Sequence, residues 1–490
     1  MMRKSLFLRL AVLVFIVAVP AASARTLSRP AITSSTPTLS SVTSTAMQGI
    51  GDSYYPLLGN RGYDVLHYTL DLSVNVATNT LHVTATIKAR ATQNLRTFNL
   101  DFQGLQLQTV KVQGAAARFH RTRHELTVVP LTPVRSGTTF TTIVVYKGSP
   151  KPVRSAAGPI AVGWNHYRDG VYVASEPEGA ATWYPVNDHP RDKATYTFRI
   201  TVAKPYVAAA NGLLRKTIDN GSTRTYIWET VHPMASYLAT VDIGKFVMKT
   251  ATAPTGLPIR NFFPADLAPK AARSFGRTPQ MIAFFSRLFG PYPFETYGVV
   301  VPNIDWGNAL ETQTLSTFGR DLVEQDQNGD LEATVAHEIV HQWFGDSVSL
   351  KNWKDIWLNE GFATFGEWLW LEHTQGREQF RATVRDTYDG LAGDALPPPA
   401  NPPANDLFNP NVYMRGALTL EALRLRVGDD TFFRILRTYA QRYRDGNAST
   451  ADFIALADKV SRRDLRGFFN AWLYSTHLPP IPELHLSAGK

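Results

Sequence analysis

Two histidines four positions apart on a helix can grip one metal ion. The chain carries such a pair at His337 and His341, within His337-Glu338-Ile339-Val340-His341-Gln342-Trp343-Phe344-Gly345-Asp346. A spacing of four stacks the two side chains on one helix face, and two imidazoles so placed suit Zn²⁺. Glu338 lies about 100° round the helix from His337. That puts it beside such an ion, where a general base for a metal-activated water must sit. Alone, the pair could be two stacked surface histidines. A third donor shifts the balance. Trp353-Lys354-Asp355-Ile356-Trp357-Leu358-Asn359-Glu360-Gly361-Phe362-Ala363 reads as the start of a second helix, with Glu360 nineteen positions after His341. The separation leaves room for a loop and an antiparallel return to the ion. Two histidines and one glutamate leave a fourth position for water, the arrangement of catalytic zinc. The plainer reading of Glu360 is a carboxylate favoured by the helix dipole. One Zn²⁺ per chain is the expected cofactor. The chain has no cysteine, which excludes thiolate ligands and disulfides.

These residues need elements to hold them. Asp330 is expected to cap the first helix and Gly345 to end it, with Val335, Ile339, Val340 and Trp343 facing the core. Asn359-Glu360-Gly361 opens the next helix, where Gly361 permits close packing. From about Tyr54 to Val247 the pattern is strand-like. Leu66 to Leu72 alternates apolar with polar residues, and Leu81 to Ile87, Thr141 to Tyr146, Tyr196 to Val202 and Thr223 to Trp228 read similarly. After about Phe263 the character turns helical. Ala271 to Leu288 reads as a helix and Val299 to Val301 as a strand. Long helical stretches run from Leu331, a Pro-rich loop spans 397–403, and Asp429 to Tyr443 and Thr450 to Thr476 close the helical part.

The N-terminus reads as an address. Arg3, Lys4 and Arg9 precede an apolar run from Leu10 to Val19, and Ala22-Ser23-Ala24 offers a small-residue cleavage site. Cleavage after Ala24 and secretion are expected. The apolar run is short for a membrane span, so no stable membrane insertion is expected afterwards. Residues 25–50 are rich in Ser and Thr and read as a flexible linker. Of 490 residues, 44% are hydrophobic and 19% charged, an ordinary balance for a chain that buries large cores. The net charge of +9 shows no dense basic run with interleaved aromatics, so no nucleic-acid partner is expected.

Through these motifs the chain resembles the aminopeptidase N family of gluzincins, which also includes leukotriene-A hydrolase. His337-Glu338-Ile339-Val340-His341 with Trp357-Leu358-Asn359-Glu360-Gly361-Phe362-Ala363 is similar to that family's metal signature, and the resemblance runs from about Tyr54 to Pro482. It implies a multidomain α+β fold. An antiparallel, β-rich, saddle-like N-terminal domain (51–264) would precede a thermolysin-like, mainly α catalytic domain (265–482) and a tail (483–490). It also implies a short form without the family's C-terminal helical domain.

Further roles come from the resemblance. Asn308-Ala309-Leu310-Glu311-Thr312 matches the family's amine-binding loop with both ends altered, which assigns the substrate's free amine to Glu311. A strand-end glutamate is the alternative. Ser175-Glu176-Pro177-Glu178 matches a Gln-x-Glu pair at the same amine site, placing Glu178 at the family's glutamate and Glu176 where glutamine is usual. Tyr413-Met414-Arg415-Gly416-Ala417 resembles the stretch whose tyrosine donates to the oxyanion, with arginine in place of lysine. A core aromatic is the alternative for Tyr413. Glu367, seven residues after Glu360, can orient a ligating histidine from behind, and Asp346 is a weaker candidate. The expected function is a secreted zinc metallo-aminopeptidase acting on peptides with a free N-terminus. A zinc endopeptidase and a catalytically silent binding module are the competing readings.

Overall fold

The computed structural model describes residues 49–158, 160–327, 329–392 and 397–487. The expected signal and nearly all of the linker fall outside them. The described residues belong to one compact unit, Gln48–Lys490.

Alternating strands build the first half. The largest sheet has eight strands in the order Leu213–Asp219, Thr223–Glu229, Thr195–Ala203, Tyr63–Asn75, Thr80–Ala91, Thr139–Gly148, Gln106–Val112 and Ala115–Ala116. The antiparallel expectation needs one amendment, because Tyr63–Asn75 runs parallel to Thr195–Ala203. The alternation of Leu66 to Leu72 also has an exception. A bulge shifts the register between Val65 and His67, so Leu66 turns outward while Tyr68, Leu70 and Leu72 face the core. A second sheet runs Val207–Ala210, Val241–Gly244, Gly170–Ala174, Ala161–Tyr167 and Val153–Arg154. A third, of three strands, joins Phe98–Asp101, Glu125–Val129 and Arg118–Arg121.

A mixed sheet then straddles the expected division at 264. It runs Phe246–Thr252, Pro258–Pro264, Val299–Val300, Ser316–Phe318 and Ala309–Leu310. The strands before Pro264 therefore pair with the catalytic half, and the change of character falls near Gly244.

Ten α-helices follow among the described residues: α1 (Ala268–Ser274), α2 (Thr278–Phe289), α3 (Arg320–Gln325), α4 (Glu332–His341), α5 (Trp357–Gln375), α6 (Arg377–Leu391), α7 (Gly416–Val427), α8 (Asp429–Arg442), α9 (Thr450–Ser461) and α10 (Arg466–Leu473). The single helix expected over Ala271 to Leu288 is two, because Pro279 has no N–H to give and sits in the first turn of α2. The stretch Thr450 to Thr476 likewise breaks where Arg462 turns left-handed at φ 58°. Asp330 does not cap α4. The capping position is Leu331, and no side chain bonds to the helix start.

Hydrogen bonds fasten the halves together at several points. The backbone N–H of Trp353 donates to Asp52. Arg191 donates to Lys351 O and Asn352 Oδ1. Asn211 Nδ2 donates to Gln313 O.

Candidate active site

Helix α4 is anchored by Val335, Ile339, Val340 and Trp343, all at most 2% exposed. Its opposite face carries His337 and His341, with ring centroids 4.6 Å apart. Helix α5 packs against α4 and crosses α7 where Gly361 meets Gly416. A Cβ on Gly361 would stand 2.8 Å from the Gly416 Cα, so glycine is what lets the helices touch. That contact seats the first turn of α5 and puts Glu360 over the two imidazoles. Gly345, at φ 133°, lies beside the same site, where a Cβ would come within 3.2 Å of His341 Nδ1.

Each imidazole is oriented through its rear nitrogen. His337 Nδ1 lies 2.6 Å from Glu367 Oε1, and His341 Nδ1 lies 3.2 Å from Phe344 O. Both partners are acceptors, so Nδ1 carries the proton and Nε2 presents its lone pair. The two Nε2 atoms converge on Glu360 Oε2, at 3.2 Å from His337 and 3.4 Å from His341. Bonds of about 2.0–2.1 Å to a tetrahedral zinc place neighbouring ligand atoms about 3.3 Å apart. The two distances to Glu360 have that spacing, and all three ligand atoms lie within 4.8 Å of one another, so the residues present fit the ion. Burial opposes charging His337, but Glu360 and Glu367 outweigh it and hold the ring well above its ordinary range. Burial also works against ionised Glu360, and the two imidazoles still hold its carboxyl at about 2.

Glu338 is buried beside this triad with one carboxylate oxygen unpartnered. Burial pushes its carboxyl up to about 8, against the pull of His337 and His341. A bound dication lowers such a group further toward the ionised state. Tyr413 sits in a π-helical turn, Asn411–Arg415, that leads into α7. Such turns gather at functional sites. Its ring lies 6.1 Å from that of His337. Burial and the field of Glu360, Glu176, Glu311 and Glu338 push its phenol well up, so it stays a proton donor. Arg415 anchors that turn. Its guanidinium donates to Trp472 O, Ala471 O and His477 O at 2.8, 3.0 and 2.9 Å, a grip that a lysine's single ammonium does not match.

A second cluster adjoins the first. Carboxylate oxygens of Glu176, Glu311 and Glu360 lie within 4.8 Å of one another, and all three residues are buried. Glu176 follows the strand Gly170–Ala174, and Glu311 follows Ala309–Leu310. One oxygen of Glu176 and one of Glu311 have no partner. Burial raises Glu176 well above its usual range, and Glu311, Glu360, Glu338 and Asp346 push it further. Burial raises Glu311 too, with His341 opposing and Glu360 adding. Lys193 does not reach this cluster. Its ammonium donates to the backbone oxygens of Asp346 and Ser347.

Glu178, expected at the same amine, is not part of this group of carboxylates. Its Oε1 accepts the backbone N–H of Ala156 at 2.7 Å. Its Oε2 is buried without a partner, as one oxygen of Glu176 is, but only Glu176 of the pair groups with Glu311 and Glu360. Asp346 is fully buried with both carboxylate oxygens unpartnered, and burial with Glu311 nearby pushes it well up. Two site neighbours escaped the sequence reading. Tyr237, from the β-rich half, accepts a hydrogen bond from Asn359 Nδ2 and lies in the field of Glu311 and Glu176. Gln342 follows His341 and is fully buried. Neither has a spacing that separates it from an ordinary core residue.

Residues 64–238 match the Peptidase M1 N-terminal domain, and residues 273–472 match the Peptidase family M1 domain. The chain is similar to an M1 zinc metallopeptidase from Deinococcus radiodurans, solved as a variant bound to a Tyr-Ser-Ala substrate. Identity is 33%, the TM-score is 0.82, and 89% of this chain and 100% of that one are covered. The same protein without that substrate superposes with 32% identity, a TM-score of 0.81 and coverage of 89% and 99%. Among curated proteins, pig (Sus scrofa) glutamyl aminopeptidase is 28% identical over 327 residues, which is 62% of this chain and 34% of that protein. The chain thus spans about a third of the length of the curated relatives it matches. A sheet-rich N-terminal domain followed by a helical catalytic domain is the architecture of the matched structures. The fold, the two matched domains and the triad of His337, His341 and Glu360 make this chain a member of the M1 family of zinc metallopeptidases.

Proposed function

We propose that this chain is an extracytoplasmic aminopeptidase, removing one residue at a time from peptides with a free N-terminus. The observation that carries the reading is the pair of unpartnered, buried oxygens on Glu176 and Glu311 beside the triad. Buried carboxylates without a partner are costly, and a substrate ammonium supplies the missing donors and charge. When bound by His337, His341 and Glu360, zinc supplies Lewis acidity for a water and for the scissile carbonyl.

The chain's own groups divide the remaining work. Glu338 takes the proton from the attacking water and passes it to the leaving amine. Tyr413 donates its phenol proton to the oxyanion, where charge develops only on reaction. Glu367 holds His337 in the tautomer that presents Nε2. Glu311 and Glu176 hold the ammonium, so the first peptide bond is the one that reaches the metal. The peptide seen with the Deinococcus radiodurans relative and the names of the curated aminopeptidases support this substrate class. The Arg3-to-Ala24 leader supports export.

The test compares an amino-acid arylamide with its N-acetylated form. Cleavage of the free-amine compound alone is expected. Equal cleavage of both would sink the aminopeptidase reading in favour of an endopeptidase. For export, the mature protein outside the cytoplasm is expected to begin at Arg25, as N-terminal mass analysis reads directly.

A further inference from the structure

We propose that Gln342 is the positioning residue that sets the amine anchor at a fixed distance from the metal, and with it the one-residue register of cleavage. The inference rests on the amine role of Glu311 proposed above.

Gln342 follows the metal-facing His341 directly and is fully buried. Its side-chain amide is spliced into the Glu311 loop at both ends. Nε2 donates to Glu311 O at 3.0 Å, and Oε1 accepts the Thr314 N–H at 2.8 Å. The Tyr292 hydroxyl stands 3.2 Å from the same oxygen. A carbonyl at one end of the loop and an N–H at the other require a side chain with both an acceptor and a donor, and an amide supplies both. An apolar replacement would leave two buried backbone groups without partners.

The loop does not hold this shape unaided. Thr314 adopts φ 68°, a region that β-branched residues avoid. The β-rich half braces it from the far side. The Gly212 N–H donates to Thr314 Oγ1 at 2.8 Å, and Asn211 Nδ2 donates to Gln313 O at 2.8 Å. Gln342 is the brace that belongs to the metal helix. Through it, the element carrying His337, Glu338 and His341 is tied to the backbone of the residue that holds the ammonium. A shift of one end carries the other with it, and the span between metal and amine stays constant.

The test uses zinc-loaded enzyme and a double-mutant cycle of Gln342→Met with Glu311→Gln, read on free-amine and N-acetylated arylamides. Gln342→Met is expected to keep stoichiometric zinc and to lower free-amine kcat/KM about tenfold to a hundredfold, chiefly through KM. In the Glu311→Gln background it should add less than about twofold, because both changes disable one anchor. Amide exchange at Thr314 should quicken while that of α4 stays slow. Additive losses, or a loss carried by kcat with KM unchanged, would overturn the proposal. Should Gln342→Met fail to fold, Gln342→Asn takes its place, since it keeps an amide too short to reach both ends of the loop. Intact discrimination in Glu311→Gln overturns the amine reading and the register role with it. Lost discrimination there, with none lost on changing Gln342, overturns the role of Gln342 alone.

Discussion

His337 and His341 meet Glu360 with every ring nitrogen engaged, whereas Glu176 and Glu311 each keep a buried oxygen with no partner. The first set is braced for a permanent occupant. Glu367 and Phe344 fix the rings before any ion arrives, so binding costs little reorganisation. The second set is left unsatisfied, which on the proposed reading suits a transient ammonium that leaves with every product. A site that must hold zinc for the life of the protein and a substrate for one turnover is served by that contrast. Neutralising the amine end with a resident lysine would relieve its repulsion and would also block the substrate.

Substitutions can break the contrast, and the largest effect falls at the metal end. Glu338→Gln should keep stoichiometric zinc and lose about a thousandfold in turnover. Retained activity would overturn its role as base. Tyr413→Phe should lower kcat by about 10²–10³ with little change in KM, and an unchanged kcat would remove the phenol from the reaction. Glu367→Gln replaces the carboxylate behind His337. Zinc affinity should weaken about tenfold to a hundredfold, as competition with a chelator measures, and unaltered affinity would show that the brace does nothing for the metal. At the amine end, Glu176→Gln should raise KM for a free-amine arylamide about tenfold. Glu178→Gln should change it by less than about twofold, because its carboxylate does not group with Glu311 and Glu360. The reverse ranking of these two would restore the alignment that the structure disfavours.

The same contrast explains what the sequence disclosed. The metal ligands come from one helix and the first turn of the next, so spacing alone brings them together. The amine end draws on two distant segments, and nothing local ranks Glu176 over Glu178. Only the fold decides that Glu176, and not Glu178, groups with Glu311 and Glu360. Gln342 and Tyr237 had no signal at all, since a buried amide and a buried phenol acquire meaning only from what folds against them. In the frame, the alternating strands and the long helices were legible from periodicity. The bulge at Leu66, the break before α2 and the sheet that runs across Pro264 were not, because each depends on pairing or on one backbone group.

Arg415 carries a practical consequence. It moors the turn bearing Tyr413 to the carbonyls of Ala471, Trp472 and His477, more than fifty residues downstream. A protease nick in that short stretch would slacken the mooring and leave His337, His341 and Glu360 untouched. With Tyr413 in its proposed role, metal content would then certify an impaired preparation as sound. For this enzyme the intact mass of the region around 471–477 is the better certificate of a live one.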